Sequence, residues 1–201
     1  MARILIIDDH KMIRLGLRRI LETREGWKIV GEVVDGEEAL AIARSTMPDI
    51  AVVDYQLTNH NGVEVTRQLR RQLPATDVVM FTMYDHLSLV LKALEAGARG
   101  YVWKSEANEH LVSAIEAVAS RRPYLSARIS EQLARSFLSN MKHVGTLTPG
   151  ERVVLQLIAE GYTDGDIAGL IRLPTELINA FRSAAMSGMG VNSKAEGERH
   201  A

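Results

Sequence analysis

Three aspartates, a threonine and a lysine carry the chemistry that this sequence offers. Asp8 and Asp9 end one short apolar run, Asp54 ends another, and Thr82 and Lys104 end or follow two more. Three carboxylates that converge on one point repel each other strongly unless a cation lies between them. Mg²⁺ suits such an oxygen-only ligand set, because it binds through a few carboxylates and keeps several waters. A carboxylate beside Mg²⁺ is also a competent nucleophile toward a phosphoryl group, whose oxygens Lys104 and Thr82 could contact.

The elements that must position these residues are short β-rich runs alternating with amphipathic helical patterns. Most of the runs are continuously apolar, as expected for parallel strands covered on both faces. The predicted strands are Arg3–Asp8, Lys28–Val34, Ile50–Asp54, Asp77–Thr82 and Gly100–Trp103. Five βα units in sequence predict a doubly wound, flavodoxin-like parallel sheet of five strands. Functional groups of such a sheet gather at the carboxyl ends of its strands.

Each of these residues also has an ordinary structural interpretation. A single aspartate at a strand end is usually a helix N-cap, which Asp8 or Asp9 before His10 could be. Lys104 alone would be read as solvated surface, and Thr82 as a β-branched packing residue. Their coincidence at the ends of four different strands favours a common site instead.

Composition sets the outer limits. The 201 residues are enough for one large or two small domains. The absence of cysteine excludes disulfides and thiolate metal sites and favours a cytoplasmic location. We expect neither a signal peptide nor a membrane segment, because no apolar run is long enough to span a bilayer. The net charge of −1 gives no bulk argument for nucleic-acid binding, which must therefore rest on local residues.

Beyond residue 121 the pattern becomes helical. Residues 122–146 are predicted to be a linker with helical character around Ile129, Leu133 and Phe137. Thr148 and Pro149 then form a typical helix start, and Gly161 and Thr163 mark a turn between helices. The predicted helices are Pro149–Ala159, Asp164–Ile171 and Pro174–Ser187. A helix, turn and second helix of this form can place a recognition helix in the DNA major groove, so we predict an all-α helix-turn-helix domain over 147–201.

Residues 1–121 resemble the receiver domain of two-component response regulators of the NarL/FixJ family, which carry a LuxR-type output domain. The matching stretches are Ile7–His10, Val52–Asp54, Gly62, Phe81–Asp85 and Ala96–Lys104. The resemblance implies that a sensor histidine kinase phosphorylates Asp54. It also implies that Mg²⁺ is held by Asp8 or Asp9, by Asp54 and by the backbone carbonyl of Gln56.

The same resemblance assigns a conformational switch to Thr82 and Tyr101. The Thr82 hydroxyl would move toward the phosphoryl group, and the Tyr101 ring would follow into the vacated space. One departure lies beside the site: the family usually has a proline four residues after the acceptor, where this chain has Thr58. Losing that proline should loosen the loop without removing a reacting group.

An enzymatic alternative is weaker. Asp54–Thr58 faintly resembles the nucleophile loop of haloacid-dehalogenase-type phosphatases. Those enzymes need a second aspartate two residues after the nucleophile, where this chain has Gln56. Their nucleophile also follows the first strand of the fold, whereas Asp54 follows the third. We therefore predict that the chain is not an enzyme.

Residues 147–196 resemble the LuxR-type helix-turn-helix domain, but the recognition helix departs from the family pattern. The resemblance would place DNA contacts at Thr175, Glu176, Asn179, Arg182 and Lys194. Residues 147–201 hold five lysine and arginine residues against seven aspartate and glutamate residues, a net charge of −2. An acidic recognition domain should bind DNA weakly, because phosphate contacts supply most non-specific affinity. The residues Leu177, Ile178 and Phe181 form an apolar stripe that ordinary core packing explains better than protein binding.

Two functions remain open on the sequence. The first is a phosphorylation-controlled, DNA-binding transcription regulator that forms a homodimer on activation. The second is a phospho-switch whose degenerate helix-turn-helix domain, with Glu176 in its recognition helix, acts through protein contacts instead of DNA.

Overall fold

The structure, a computed structural model, describes residues 2–84, 86–139 and 149–188. Its first part alternates strands and helices. The elements are β1 (Ala2–Ile7), α1 (Lys11–Leu21), β2 (Trp27–Val33), α2 (Gly36–Thr46), β3 (Ile50–Val53), α3 (Gly62–Gln72), β4 (Asp77–Thr82), α4 (Leu87–Glu95), β5 (Gly100–Trp103) and α5 (Ala107–Ala119). A short strand β6 (Tyr124–Leu125) and the helices α6 (Ala127–Ser139), α7 (Pro149–Ala159), α8 (Asp164–Ile171) and α9 (Thr175–Gly188) follow.

All strand pairs of the described sheet are parallel, in the order β2-β1-β3-β4-β5-β6. The five predicted strands are therefore confirmed, with ends within one residue of the prediction. The sheet extends one strand further than predicted, because Tyr124 and Leu125 pair with Gly100 and Tyr101. Two residues are too short a run to show a strand pattern in the sequence.

The strands are apolar throughout because both faces of the sheet are covered. Ile4 and Ile6 of β1 point to one face and pack with residues of α1 and α5. Leu5 and Ile7 point to the opposite face and pack with residues of α2, α3 and α4. This alternation is the two-residue period of a strand, with an apolar layer on each side.

The C-terminal helices pack together and continue the apolar layer that covers one face of the sheet. Ile129, Leu133 and Phe137 of α6 are buried, and the Phe137 ring meets the Phe181 ring edge-on at 5.2 Å between centroids. Ile178 is buried beside them, which confirms the interpretation of the α9 stripe as core. The predicted helices are confirmed, the last one shifted by one residue at each end.

Helix α7 packs against α4 of the sheet domain. The Gln156 amide donates to the carbonyl of Leu94 at 3.0 Å, and Arg152 lies 3.2 Å from the Glu95 carboxylate. The ring of Tyr162, which follows α7, lies under the Arg99 guanidinium, with 5.4 Å between the guanidinium carbon and the ring centroid. The end of α4 is therefore covered by the helices that follow. Among the described residues, no helix combines the length and apolarity that crossing a bilayer requires.

Candidate functional site

The strand order brings the predicted site residues together. Because β1, β3, β4 and β5 are successive neighbours in the sheet, the residues that follow them share one edge. Asp8 comes directly after β1 and Asp54 directly after β3, and the Asp54 amide donates to the Ile7 carbonyl at 2.8 Å. Both carboxylates are buried, Asp8 with 1% and Asp54 with 4% of its surface exposed.

Lys104 joins these two carboxylates. Its Nζ lies 2.6 Å from Oδ2 of Asp8 and 2.7 Å from Oδ2 of Asp54, and its side chain is only 4% exposed. Buried charges are costly unless they are paired and hydrogen-bonded. One ammonium cannot neutralise two carboxylates, so the three groups keep a net negative charge at the strand ends.

The electrostatics of Asp54 reflect mainly its burial and, to a smaller extent, this imbalance. Burial raises the pKa of the Asp54 carboxyl above its ordinary value, and the neighbouring Asp8 charge raises it further. The hydrogen bond and charge of Lys104 lower that pKa and offset only part of the effect. A further cation at this edge would stabilise the ionised form of Asp54.

A set of possible metal ligands lies at the same place. One ligand atom each from Asp8, Asp9, His10 and Asp54 lies within 4.8 Å of the others. The carboxylate oxygens fit Mg²⁺, which prefers oxygen ligands and binds through a few carboxylates. His10 was not among the predicted ligands; its ring Nδ1 lies 2.6 Å from Oδ1 of Asp9, and its amide donates to Asp8 at 2.8 Å. The Gln56 carbonyl stays a prediction as a ligand.

The loop between β3 and α3 closes tightly over Asp54. The Gly62 amide donates to the Tyr55 carbonyl at 2.7 Å, and a Cβ at Gly62 would lie only 1.9 Å from the Asp54 carbonyl oxygen. A side chain at this position would displace the acceptor loop. Thr58, at the family's usual proline position, places its hydroxyl 3.3 Å from Oδ2 of Asp9. The substitution thus adds a polar contact to the site.

The predicted switch residues are both fully buried. The Thr82 hydroxyl accepts a long hydrogen bond of 3.4 Å from the Tyr84 amide. The Tyr101 ring lies inward, and its hydroxyl donates to the Tyr84 carbonyl at 2.8 Å. The backbone of Tyr84 therefore contacts both switch residues. Tyr84 lies within the matching stretch Phe81–Asp85, but the sequence pattern indicated no role for it.

The predicted DNA-contact residues divide into three groups. Thr175, Glu176 and Asn179 lie exposed on α9. Arg182 faces α8 instead, with Nη2 2.5 Å from Oδ1 of Asp164. Lys194 lies outside the described residues. The structure thus brings the predicted residues Asp8, Asp9, Asp54 and Lys104 into one cluster but leaves the α9 residues without a concentrated positive charge.

Known proteins agree with this architecture. The family model described as "Response regulator receiver domain" matches residues 4–116. This chain belongs to the response regulators, and its relatives are response regulators of the NarL and LuxR type.

Particular relatives match over nearly the full chain. This chain is 31% identical to the response regulator UvrY of Escherichia coli K12 over 199 residues, which cover 98% of this chain and 91% of that protein. It is also 31% identical to the nitrate/nitrite response regulator protein NarL of the same strain, covering 97% and 92%.

Solved structures give the same result. A LuxR-family two-component response regulator from Aurantimonas sp. is 41% identical with a TM-score of 0.66, covering 69% of this chain and 99% of that one. RcsB of Salmonella typhimurium is 23% identical with a TM-score of 0.63, covering 96% of this chain and 95% of that one. At that identity the RcsB match supports the two-domain fold alone.

Replacing Asp54 by asparagine is expected to stabilise the fold at neutral pH. The raised pKa means that the folded protein binds the Asp54 proton more tightly than the unfolded chain does. Ionisation therefore costs stability as pH rises from the ordinary value of 3.8 through the raised pKa. Urea unfolding across pH should show D54N more stable than wild type at pH about 7. The greater stability of D54N should vanish at a pH below 3.8, the ordinary pKa of the aspartate carboxyl.

Asp35 supplies a control, because its pKa is shifted in the direction opposite to that of Asp54. Its hydrogen bond from Asn59 lowers the pKa of the Asp35 carboxyl, which caps α2. That carboxylate stabilises the fold above its ordinary pKa, and the contribution is lost as pH falls through the lowered value. D35N should therefore be no more stable than wild type at neutral pH. A wild type more stable than D54N at pH about 7 without Mg²⁺ would contradict the interpretation of the site.

Proposed function

We propose that this response regulator is switched by phosphorylation of Asp54 and controls transcription through DNA binding by its helical domain. The receiver domain would span 1–121, the linker 122–146 and the output domain 147–201. The observation that carries the proposal is the buried ammonium of Lys104 within 2.7 Å of both Asp8 and Asp54. This arrangement holds an acceptor carboxylate beside a ready-made cation for the incoming phosphoryl oxygens.

The chemistry follows from the residues. An Asp54 oxygen attacks the phosphorus of a phosphohistidine on the sensor kinase, and the bond from phosphorus to the imidazole nitrogen breaks. Lys104 neutralises charge on the transferred phosphoryl oxygens, and Thr82 donates its hydroxyl to one of them. Asp8, Asp9 and Asp54 would hold Mg²⁺, which would supply further positive charge at this edge of the sheet.

The packing of the helices that follow the sheet supports a coupled response. Helix α7 packs on α4, and β5, which carries Tyr101, adjoins β4, which ends in Thr82. A change in the Thr82 and Tyr101 pair would shift the balance between docked and released arrangements of the output helices. The contacts to be exchanged include Arg152 with Glu95 and Gln156 with the Leu94 carbonyl. Release would free the protein to form a homodimer on DNA.

DNA binding is expected to be electrostatically weak. Between residues 149 and 188 the basic residues are three arginines, and each has a carboxylate partner. The pairs are Arg152 with Glu95, Arg172 with Glu131 and Arg182 with Asp164. A relative of the same fold, RcsB, has been solved in a complex with DNA, which supports this use of the scaffold.

Acetyl phosphate with Mg²⁺ is expected to label the wild-type chain once, on Asp54. Intact-mass measurement should show one added phosphoryl group, and none on D54N or without Mg²⁺. Lys104→Met should label at least about tenfold more slowly, because a charge-assisted contact worth about 1.5–3 kcal/mol is lost. Equal labelling of wild type and D54N would overturn the proposal for the receiver domain.

Mixed genomic duplex DNA is expected to bind with a shallow salt dependence. With few unpaired cations, the slope of log affinity against log salt should be about −3 or shallower, since each neutralised phosphate contributes about −0.9. Beryllofluoride, a mimic of the phosphoryl group, should tighten binding by wild type and leave D54N unchanged. No binding in either state, with Asp54 still labelled, would exclude DNA and favour a protein partner for the output domain.

A further inference from the structure

The turn between β1 and α1 carries two of the three carboxylates of the site, and Arg14 of α1 holds this turn at both ends. Asp8, Asp9 and His10 make up the turn. The Arg14 guanidinium donates from Nη1 to the Asp8 carbonyl at 2.8 Å. The Arg14 amide donates to the His10 carbonyl at 3.1 Å. Arg14 thus fixes the backbone on both sides of Asp9, which is a predicted Mg²⁺ ligand.

The Asp9 carboxylate has weaker direct support than the other two. Those two are bound by the buried Lys104 ammonium. The Asp9 side chain is 22% exposed, and it contacts the ring of His10 at 2.6 Å and the hydroxyl of Thr58 at 3.3 Å. Both of these partners are exposed residues. The position of the Asp9 carboxylate therefore depends largely on the backbone that carries it.

Strand β2 holds Arg14 against the turn. Oε2 of Glu32 lies 3.8 Å from Nε of Arg14, and the two side chains are only 18% and 16% exposed. The next residue of β2, Val33, accepts the Asp8 amide at 3.1 Å through its carbonyl. Since the Arg14 charge faces a carboxylate of its own, the main action of this side chain on the site is its hydrogen bond to the Asp8 backbone.

We propose that Arg14 is a positioning residue for Mg²⁺ binding, because it fixes the turn that presents the Asp9 carboxylate. Mg²⁺ demands near-ideal octahedral geometry, so a small displacement of one carboxylate lowers its affinity. Arg14 acts through the backbone and needs no contact with the ion or the phosphoryl group. Its role rests on the proposed Mg²⁺-dependent phosphorylation of Asp54.

A purely electrostatic role for Arg14 predicts the opposite effect on Mg²⁺. A cation close to the carboxylates repels a second cation, so removal of the guanidinium charge alone would tighten Mg²⁺ binding. Loss of a positioning contact weakens Mg²⁺ binding instead. The direction of the change therefore separates the two roles.

The test is calorimetric titration of the unphosphorylated full chain with MgCl₂ at constant ionic strength. Arg14→Met removes the donor and the charge but keeps an unbranched side chain. Its Kd for Mg²⁺ should rise about three- to tenfold, a part of the effect of one charge-assisted hydrogen bond, since Arg14 acts through the backbone. Arg14→Lys keeps the charge and one donor group, so its Kd should lie between those of Arg14→Met and wild type.

Arg18→Met is the matched control. Arg18 lies on the same helix and pairs with the same Glu32 carboxylate, and its second partner is Glu22 at 3.6 Å. This variant loses the same charge without breaking the contact between Arg14 and Asp8. Its Kd for Mg²⁺ should equal that of wild type.

Labelling by acetyl phosphate gives a second readout. In R14M the Mg²⁺ concentration that gives half the maximal labelling rate should rise by the same factor as the Kd. The labelling rate at saturating Mg²⁺ should change by less than about twofold, because Arg14 does not touch the reacting atoms.

Unchanged or tighter Mg²⁺ binding by R14M, or equal weakening in R18M, would overturn the role of Arg14 even though wild type is labelled on Asp54. Wild type that is labelled without Mg²⁺, or not labelled at all, would instead overturn the proposed Mg²⁺-dependent phosphorylation, and the role of Arg14 with it.

Discussion

The ammonium of Lys104, buried between the carboxylates of Asp8 and Asp54, is the interaction on which the rest of the site depends. Two buried carboxylates so close together would repel each other in the absence of a cation, and one lysine leaves part of that charge uncompensated. The residual negative charge makes the site receptive to a divalent cation. Burial raises the pKa of Asp54, and the Asp8 charge adds a smaller contribution in the same direction.

This interaction requires the strand order of the sheet. Asp8, Asp54 and Lys104 follow β1, β3 and β5, and only the crossover topology of a doubly wound sheet brings these ends to one edge. The loops that follow the strands make further contacts around Asp54. Gly62 lets the β3–α3 loop pass against the Asp54 carbonyl, and Tyr84 ties the neighbouring loop to Gln56. The strand ends thus fix the reacting groups, and the loops pack closely around them.

The convergence of the site could be predicted from the sequence because it rests on strand order, which continuous apolar runs reveal. Other features depend on tertiary contacts that leave no local pattern. The pairing of Arg182 with Asp164 joins two helices that the sequence analysis assigned separately, and it removes Arg182 from the expected DNA face. The contact between Tyr84 and Gln56 depends on how two loops meet, and β6 is too short to show a period.

Calorimetric titration with beryllofluoride tests the central claim most directly, because this ion occupies the phosphoryl position without chemical transfer. We expect one ion bound per wild-type chain, only in the presence of Mg²⁺, with binding lost in D54N and weakened in K104M. Such a result would show that the acceptor, the cation and the lysine act as one site. Binding that persists in D54N, or that does not depend on Mg²⁺, would contradict the assignment of Asp54 as the phosphoryl acceptor.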